Sequence, residues 1–233
     1  MGSRGRSRGM SMVNATSQPS GGSPIPPVAP CMQTDYDGLT DYIVSTGAGL
    51  KLGGYQTWCW RFKTDNGAAF QTHTDSQNAG RTSGINFITH SNGSQYINAA
   101  IGGVNKEASD ATSLVSGTWY TIVLVASATE LAFWKNGVKC SGPLAIDANI
   151  NAPVSDFHFG RFDSAGSQEF NGQMTNLEAY TGAATNPASW TPGNTSSLTG
   201  TTLVMSSPYG NGADNNQGYI FTEGGSPTLE ACD

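Results

Sequence analysis

The sequence predicts an all-β protein, a two-sheet antiparallel sandwich carried behind an extended N-terminal arm. Three segments predict it. Leu50–Lys63 (LKLGGYQTWCWRFK) places Trp58, Trp60 and Phe62 on one strand face at period 2. Ser116–Gly142 (SGTWYTIVLVASATELAFWKNGVKCSG) reads as a buried strand followed by a hairpin. Phe157–Tyr180 holds FHFGRF, a polar loop, and FNGQMTNLEAYTG. Thirty glycines in 233 residues, with only 12% charged side chains, suit many short strands joined by tight turns.

Taken in order, the arm comes first. Residues 1–30 hold five of the eleven prolines and no acidic group, and their charges are Arg4, Arg6 and Arg8. A Gly/Ser stretch followed by Pro24-Ile25-Pro26-Pro27 and Pro30 is a flexible leader joined to a stiffer spacer. It lacks the apolar run of a secretory signal, and Met1, Met10 and Met12 are all candidate starts. An arm of this kind is expected to dock on a partner's carboxylates. The body, residues 31–233, is acidic. Eight of the eleven basic residues face all seventeen acidic ones there, a balance of −9. That charge disfavours binding of a phosphate backbone by the body. No run approaches the ~20 apolar residues of a membrane-spanning helix.

Within the body, Trp119–Val125 is apolar on both faces, as a strand covered on both sides must be. Asn136-Gly137 favours positive φ at both turn centres, so it predicts a type I′ hairpin in which Phe133 faces Cys140. Cys59 falls on the face opposite Trp58 and Trp60. The expected core is Trp58, Trp60, Phe62, Ile122, Leu124, Leu131, Phe133, Phe159 and Leu177. Thr201–Met205 and Gly218–Thr222 are return strands, so residues 31–233 are read as one domain.

In that order, the aromatic strand, the W-x-x-[IV] strand with its F-x-x-N-G hairpin, and the GR-loop-F-x-G strand resemble the laminin-G-like branch of the concanavalin A-like jelly rolls. The resemblance covers roughly Asp35 to Ala184, and pentraxins and legume lectins are relatives of that branch. It implies side-by-side terminal strands, which would make a Cys31–Cys232 disulfide feasible. Four buried thiols is the competing expectation. It also implies that Ca²⁺ is the one cofactor to look for, with Asp163, Asp65, Asn66 and Asp156 as candidate loop ligands. None of these loops shows a dense acidic cluster, and the expectation is no metal and no cofactor.

An active site is not expected. His73 and His90 sit in polar surroundings, and His158 reads as an outward or capped strand residue. No paired-carboxylate strand motif is present, and Glu169 and Glu178 make no recognisable acid pair. Trp190, Tyr209 and Tyr219 lie in Gly/Asn/Pro-rich sequence after the core. They are candidates for stacking on a sugar, for packing on a neighbouring subunit, or for sealing the sandwich edge.

An arm-borne jelly roll also resembles decoration and cement proteins, or fibre-tip modules, of tailed bacteriophages. On that resemblance the expectation is a non-enzymatic structural protein of a virion, in contact with other subunits and forming a homo-oligomer. The alternative is a carbohydrate-binding or adhesion module acting outside the cell.

Overall fold

The computed structural model describes residues 32–39, 41–45, 50–162, 168–192, 198–207, 221–224 and 228–231. The strands follow in chain order. The first seven are β1 (Met32–Asp37), β2 (Tyr42–Ser45), β3 (Gln56–Thr64), β4 (Gln71–Asp75), β5 (Ile85–Thr89), β6 (Gln95–Ile101) and β7 (Val104–Asp110). Then come β8 (Trp119–Ala126), β9 (Glu130–Lys135), β10 (Val138–Lys139), β11 (Leu144–Ala145), β12 (Phe157–Phe159) and β13 (Asn171–Thr181). After a 3-10 turn at Pro187–Ser189 the chain ends in β14 (Thr202–Ser207), β15 (Phe221–Gly224) and β16 (Thr228–Ala231).

They form two antiparallel sheets. The first runs β10-β9-β8-β3-β13-β1-β16, with β11 on β9 and β14 on β13; the second runs β15-β2-β12-β4-β5-β6-β7. The architecture is the jelly-roll sandwich that the sequence predicts. All nine expected core side chains are buried. Aromatic contacts tie the sheets together: Trp58 stacks on Phe157 at 4.3 Å, and Trp60 meets Phe87 edge-on at 5.0 Å. Burying each such side chain is worth roughly 1.5–3 kcal/mol. The Asn136-Gly137 turn has φ of 50° and 77°, Val138 pairs with Lys135, and Cys140 N–H donates to Phe133 O at 2.8 Å.

The last strand returns to the first, with Met32 opposite Ala231. Cys31 and Cys232, the next residues in each direction, lie outside the described residues. Cys59 and Cys140 are free and buried. The region of Thr201–Met205 pairs with β13, and β15 joins the other sheet beside β2.

The two-sided apolar pattern of β8 has a physical cause. Its inner residues Ile122 and Leu124 join the main core, while Val123 and Val125 join a second cluster with Cys59, Tyr180, Ala184, Trp190 and Leu198. Residues between β13 and β14 thus cover the outer face of the first sheet.

One feature departs from the sequence reading, and a second was not anticipated by it. His73, expected in polar surroundings, is fully buried among Phe62, Phe87 and Phe170. Burial lowers its pKa to about 3, so the ring is neutral. Its Nε2 lies 2.8 Å from Thr89 Oγ1, and Nδ1 has no hydrogen-bond partner. The second feature is a closed ring of four carboxamides on the outward face of the second sheet. Asn86 Nδ2 donates to Gln77 Oε1 (3.1 Å), Asn98 to Asn86 (3.1 Å), Asn105 to Asn98 (3.3 Å), and Gln77 to Asn105 (2.9 Å). Gln77, Asn86 and Asn98 are each 2% exposed or less. Each amide serves as donor to one neighbour and acceptor from the other, which satisfies the shielded groups and fixes the register of β5 on β6.

Candidate functional site

One end of the sandwich carries an open pocket of about 260 Å³. Three pieces of chain build it: the loop from β3 to β4, the turn after β1 at Gly38, and the approach to β13 at Gln168–Asn171. Local hydrogen bonding fixes the first of these. Asn66 Oδ1 accepts from Ala68 N–H and Asn66 O from Ala69 N–H, a side-chain-supported turn. Gln71 then locks the loop to the sheet, accepting from Thr64 Oγ1 at 3.1 Å and donating to Asn66 O at 3.3 Å.

The third piece is held through its backbone. Thr72 N–H donates to Gln168 O (2.8 Å) and Asp65 N–H to Asn171 O (3.0 Å). Gln168 adopts a φ of 76°, a left-handed conformation uncommon for a residue with a side chain. The side chains of Gln168, Glu169 and Asn171 make no hydrogen bond among the described residues. Two amides and a carboxylate therefore face the pocket uncommitted. Gly38 closes its floor with a φ of +72°, and a Cβ there would sit 2.7 Å from the Asn171 Cβ.

An aromatic row continues from the pocket wall. Phe70 packs edge-on to His90 at 4.6 Å, and His90 lies 4.6 Å from Tyr96. Phe70, His90 and Tyr96 are half-buried, so each keeps accessible ring surface. The hairpin turn Asn92-Gly93, with Gly93 at φ 80°, holds β5 and β6 in this register, and Ser94 Oγ donates to Tyr96 OH at 3.3 Å.

A second carboxylate occupies a different setting. A bulge at Asn176 (φ 52°) shifts the register of β13 on β3 and sets Glu178 opposite Cys59 on the covered face. Glu178 is 1% exposed. Its Oε2 accepts from Tyr180 OH at 2.5 Å and from Trp190 Nε1 at 2.8 Å, while Oε1 has no partner. Burial raises its pKa, and the two hydrogen bonds oppose that rise without cancelling it. Cys59, buried beside it, is raised as well, by burial first and the Glu178 charge second.

These positions correct one expectation. Trp190, a candidate stacking platform, is 6% exposed with its indole N–H bonded to Glu178, so it seals the sheet's outer face and is not presented to a ligand. Glu169 and Glu178 are not neighbours. The strand from Asn171 to Glu178 alone puts about 20 Å between them, far beyond the roughly 5–9.5 Å that glycoside hydrolysis needs. His158 points away from the core beside Tyr42, as expected of an outward strand residue, although it is buried. Asp156 forms an ion pair with Lys51 at 3.4 Å. Among the described residues no group of three His, Cys, Asp or Glu side chains could hold a metal. Arg4, Arg6, Arg8, Asp163, Tyr209 and Tyr219 lie outside the described residues.

Sequence reasoning did not single out Phe70, Tyr96, Gln168 or Asn171, and it read His90 only as a histidine in polar surroundings. The usable signal was parity: in FQTH and FITHSNGSQY the outward positions alternate with core positions across a readable Asn-Gly turn.

A second depression of about 410 Å³ lies between β7 and the β9–β10 hairpin. Its charged lining is already committed. Lys135 Nζ contacts Asp110 (3.0 Å), Gln95 Oε1 (2.6 Å) and Thr112 O (2.9 Å), which uses all three ammonium donors.

No protein-family model matches the sequence, and no curated protein matches it. Solved structures do share the fold. A heptameric SAP-like pentraxin from Limulus polyphemus has a TM-score of 0.61 at 15% identity, over 86% of this chain and 94% of that one. A putative carbohydrate-binding protein from Bacteroides ovatus has a TM-score of 0.64 at 15% identity; the match spans 88% of this chain and 60% of that one. The CBM40 domain of a Ruminococcus gnavus sialidase, bound to α2,3-sialyllactose, has a TM-score of 0.55 at 14% identity, over 68% of this chain and 96% of that one. At such identities the likeness establishes the laminin-G-like, concanavalin A-like fold.

Proposed function

We propose that this chain is a non-catalytic carbohydrate-binding module, and that its ligand site is the pocket at Gly38, Asn66 and Gln168–Asn171 together with the Phe70–His90–Tyr96 row. The observation that carries this reading is the pairing of uncommitted amides with half-exposed rings. A sugar presents a hydroxylated edge and an apolar face of C–H groups. Amide groups supply a donor and an acceptor each for the edge, and aromatic rings supply a surface for the face. Carbohydrate-binding neighbours with the same fold support the reading. None of the structures described above is a virion component, so the structural-protein expectation gains no support from them.

The test is glycan binding measured by calorimetry on the purified chain, with Tyr96→Ala and Asn171→Ala as variants. Each is expected to weaken binding at least tenfold while the unfolding midpoint moves little. Undiminished binding in both variants would relocate the site, and absence of binding to any glycan would reject the function.

Anchoring of the acidic body by residues 1–30 is a separate reading, motivated by the charge contrast between arm and body. A chain beginning at Cys31 tests it: that chain should fold but fail to join any larger assembly the full chain joins.

A further inference from the structure

We infer that the pocket takes uncharged saccharides and discriminates against sugars bearing a carboxylate. This inference rests on the carbohydrate-binding reading and names the ligand class of the same site. The polar lining consists of the amides of Asn66, Gln71, Gln168 and Asn171 plus one charge, Glu169. Glu169 has no ion-pair partner and no hydrogen-bond partner among the described residues. The positive charges of the body lie elsewhere. Lys51, Lys135 and Lys139 pair with Asp156, Asp110 and Glu130. Arg61 and Lys63 lie over Trp119, Arg161 over Tyr42 and Arg81 over Phe162. Lys106, the eighth, is on β7 and does not line the pocket.

The consequence is electrostatic selection. Sugar hydroxyls can donate to Glu169, and can both donate to and accept from the amides of Gln168 and Asn171. A sialic or uronic acid would bring its carboxylate against Glu169, and among the described residues no cation lines the pocket to offset the repulsion. An unpaired like charge is a means of rejecting a competitor as well as a contact for the preferred ligand.

The experiment uses the full chain and a panel of neutral hexasaccharides of glucose, xylose, mannose and galactose beside hexagalacturonate and sialyllactose. Affinities are read by calorimetry at low and moderate salt. Neutral members should bind, and acidic members should bind at least tenfold more weakly. The ratio should shrink as salt screens the repulsion. Glu169→Gln should narrow the ratio at least threefold, and Glu169→Lys should bring acidic ligands level with neutral ones or above. Acidic sugars binding as tightly as neutral ones, or a ratio unmoved in both variants, would overturn the inference while leaving the glycan reading intact. Silence from both classes would instead overturn the glycan reading and this inference with it.

Discussion

Two glutamates nine positions apart occupy opposite kinds of environment. Glu178 is sealed under the segment that carries Trp190, and one of its oxygens accepts two hydrogen bonds from aromatic side chains. Glu169 sits in an open pocket with neither oxygen engaged by a described residue. This jelly roll places structure under the covering segment and leaves chemistry available at the rim. A buried carboxylate must be hydrogen-bonded to be tolerated, and in being so it fastens the covering segment to the sheet. An uncommitted one at a rim contributes little to folding and retains its full capacity to accept from a ligand.

Substitution at the sealed site should have the largest effect. Glu178→Ala would remove the carboxylate that accepts from Tyr180 OH and Trp190 Nε1 in a buried setting, and would open a void. Each unsatisfied group costs about 1–3 kcal/mol, so a loss on the order of 3 kcal/mol is expected in denaturant unfolding. Trp190 emission should shift to the red as the segment lifts. A loss below about 1 kcal/mol would mean that the segment is held by its apolar contacts alone.

Acid titration separates two buried groups by sign. His73 has a depressed pKa, so its contribution is present above its unfolded value of 6.5 and is lost as pH falls toward about 3. The limiting slope is about 1.4 kcal/mol per pH unit. Glu178 acts oppositely. Its folded pKa is raised, so its contribution is fully present below the unfolded value of 4.5 and is lost as pH rises through the folded value. His73→Phe should therefore flatten the acid loss of stability, and Glu178→Gln should steepen it. Identical pH profiles for the wild type and both variants would contradict these assignments.

A smaller effect is expected where the pocket floor meets β13. Gly38→Ala places a Cβ against Asn171 in a left-handed backbone conformation. The backbone penalty alone is about 1–2 kcal/mol, and displacement of Asn171 should weaken ligand binding in the same variant. Stability lost without any change in affinity would remove Asn171 from the site.

The smallest effect is expected at Glu169. Glu169→Ala should change stability by no more than about 0.5 kcal/mol, as for surface positions with no partner. A larger loss would show that Glu169 belongs with Glu178 as a structural residue.

The fold was legible because its signals are local. Trp58, Trp60 and Phe62 repeat at period 2 on one strand, and Asn136-Gly137 specifies its own turn. The two-sided pattern of β8 even signalled a cover on the outer face without showing what supplies it. Trp190 was legible only as a set of alternatives. SWTPGN allows a stacking platform, a subunit contact or a seal on the sandwich, and only the bulge at Asn176 and the return of the chain bring it onto Glu178. His73 was missed for a similar reason: its sequence neighbours are polar, while Phe62, Phe87 and Phe170 reach it from other strands. The pocket was the least legible part, since its lining comes from three separated stretches and its amides look individually like ordinary turn residues.

The most direct test of the central claim is to locate a bound glycan residue by residue. Amide shifts in the two-dimensional NMR spectrum of the labelled full chain would be followed during titration with the tightest-binding oligosaccharide of the panel. The predicted result is a contiguous set of perturbations at residues 66–71, 90–96 and 168–171, with Trp190 and Glu178 unmoved. Saturable perturbations confined to another face, or no saturable change at all, would contradict the account.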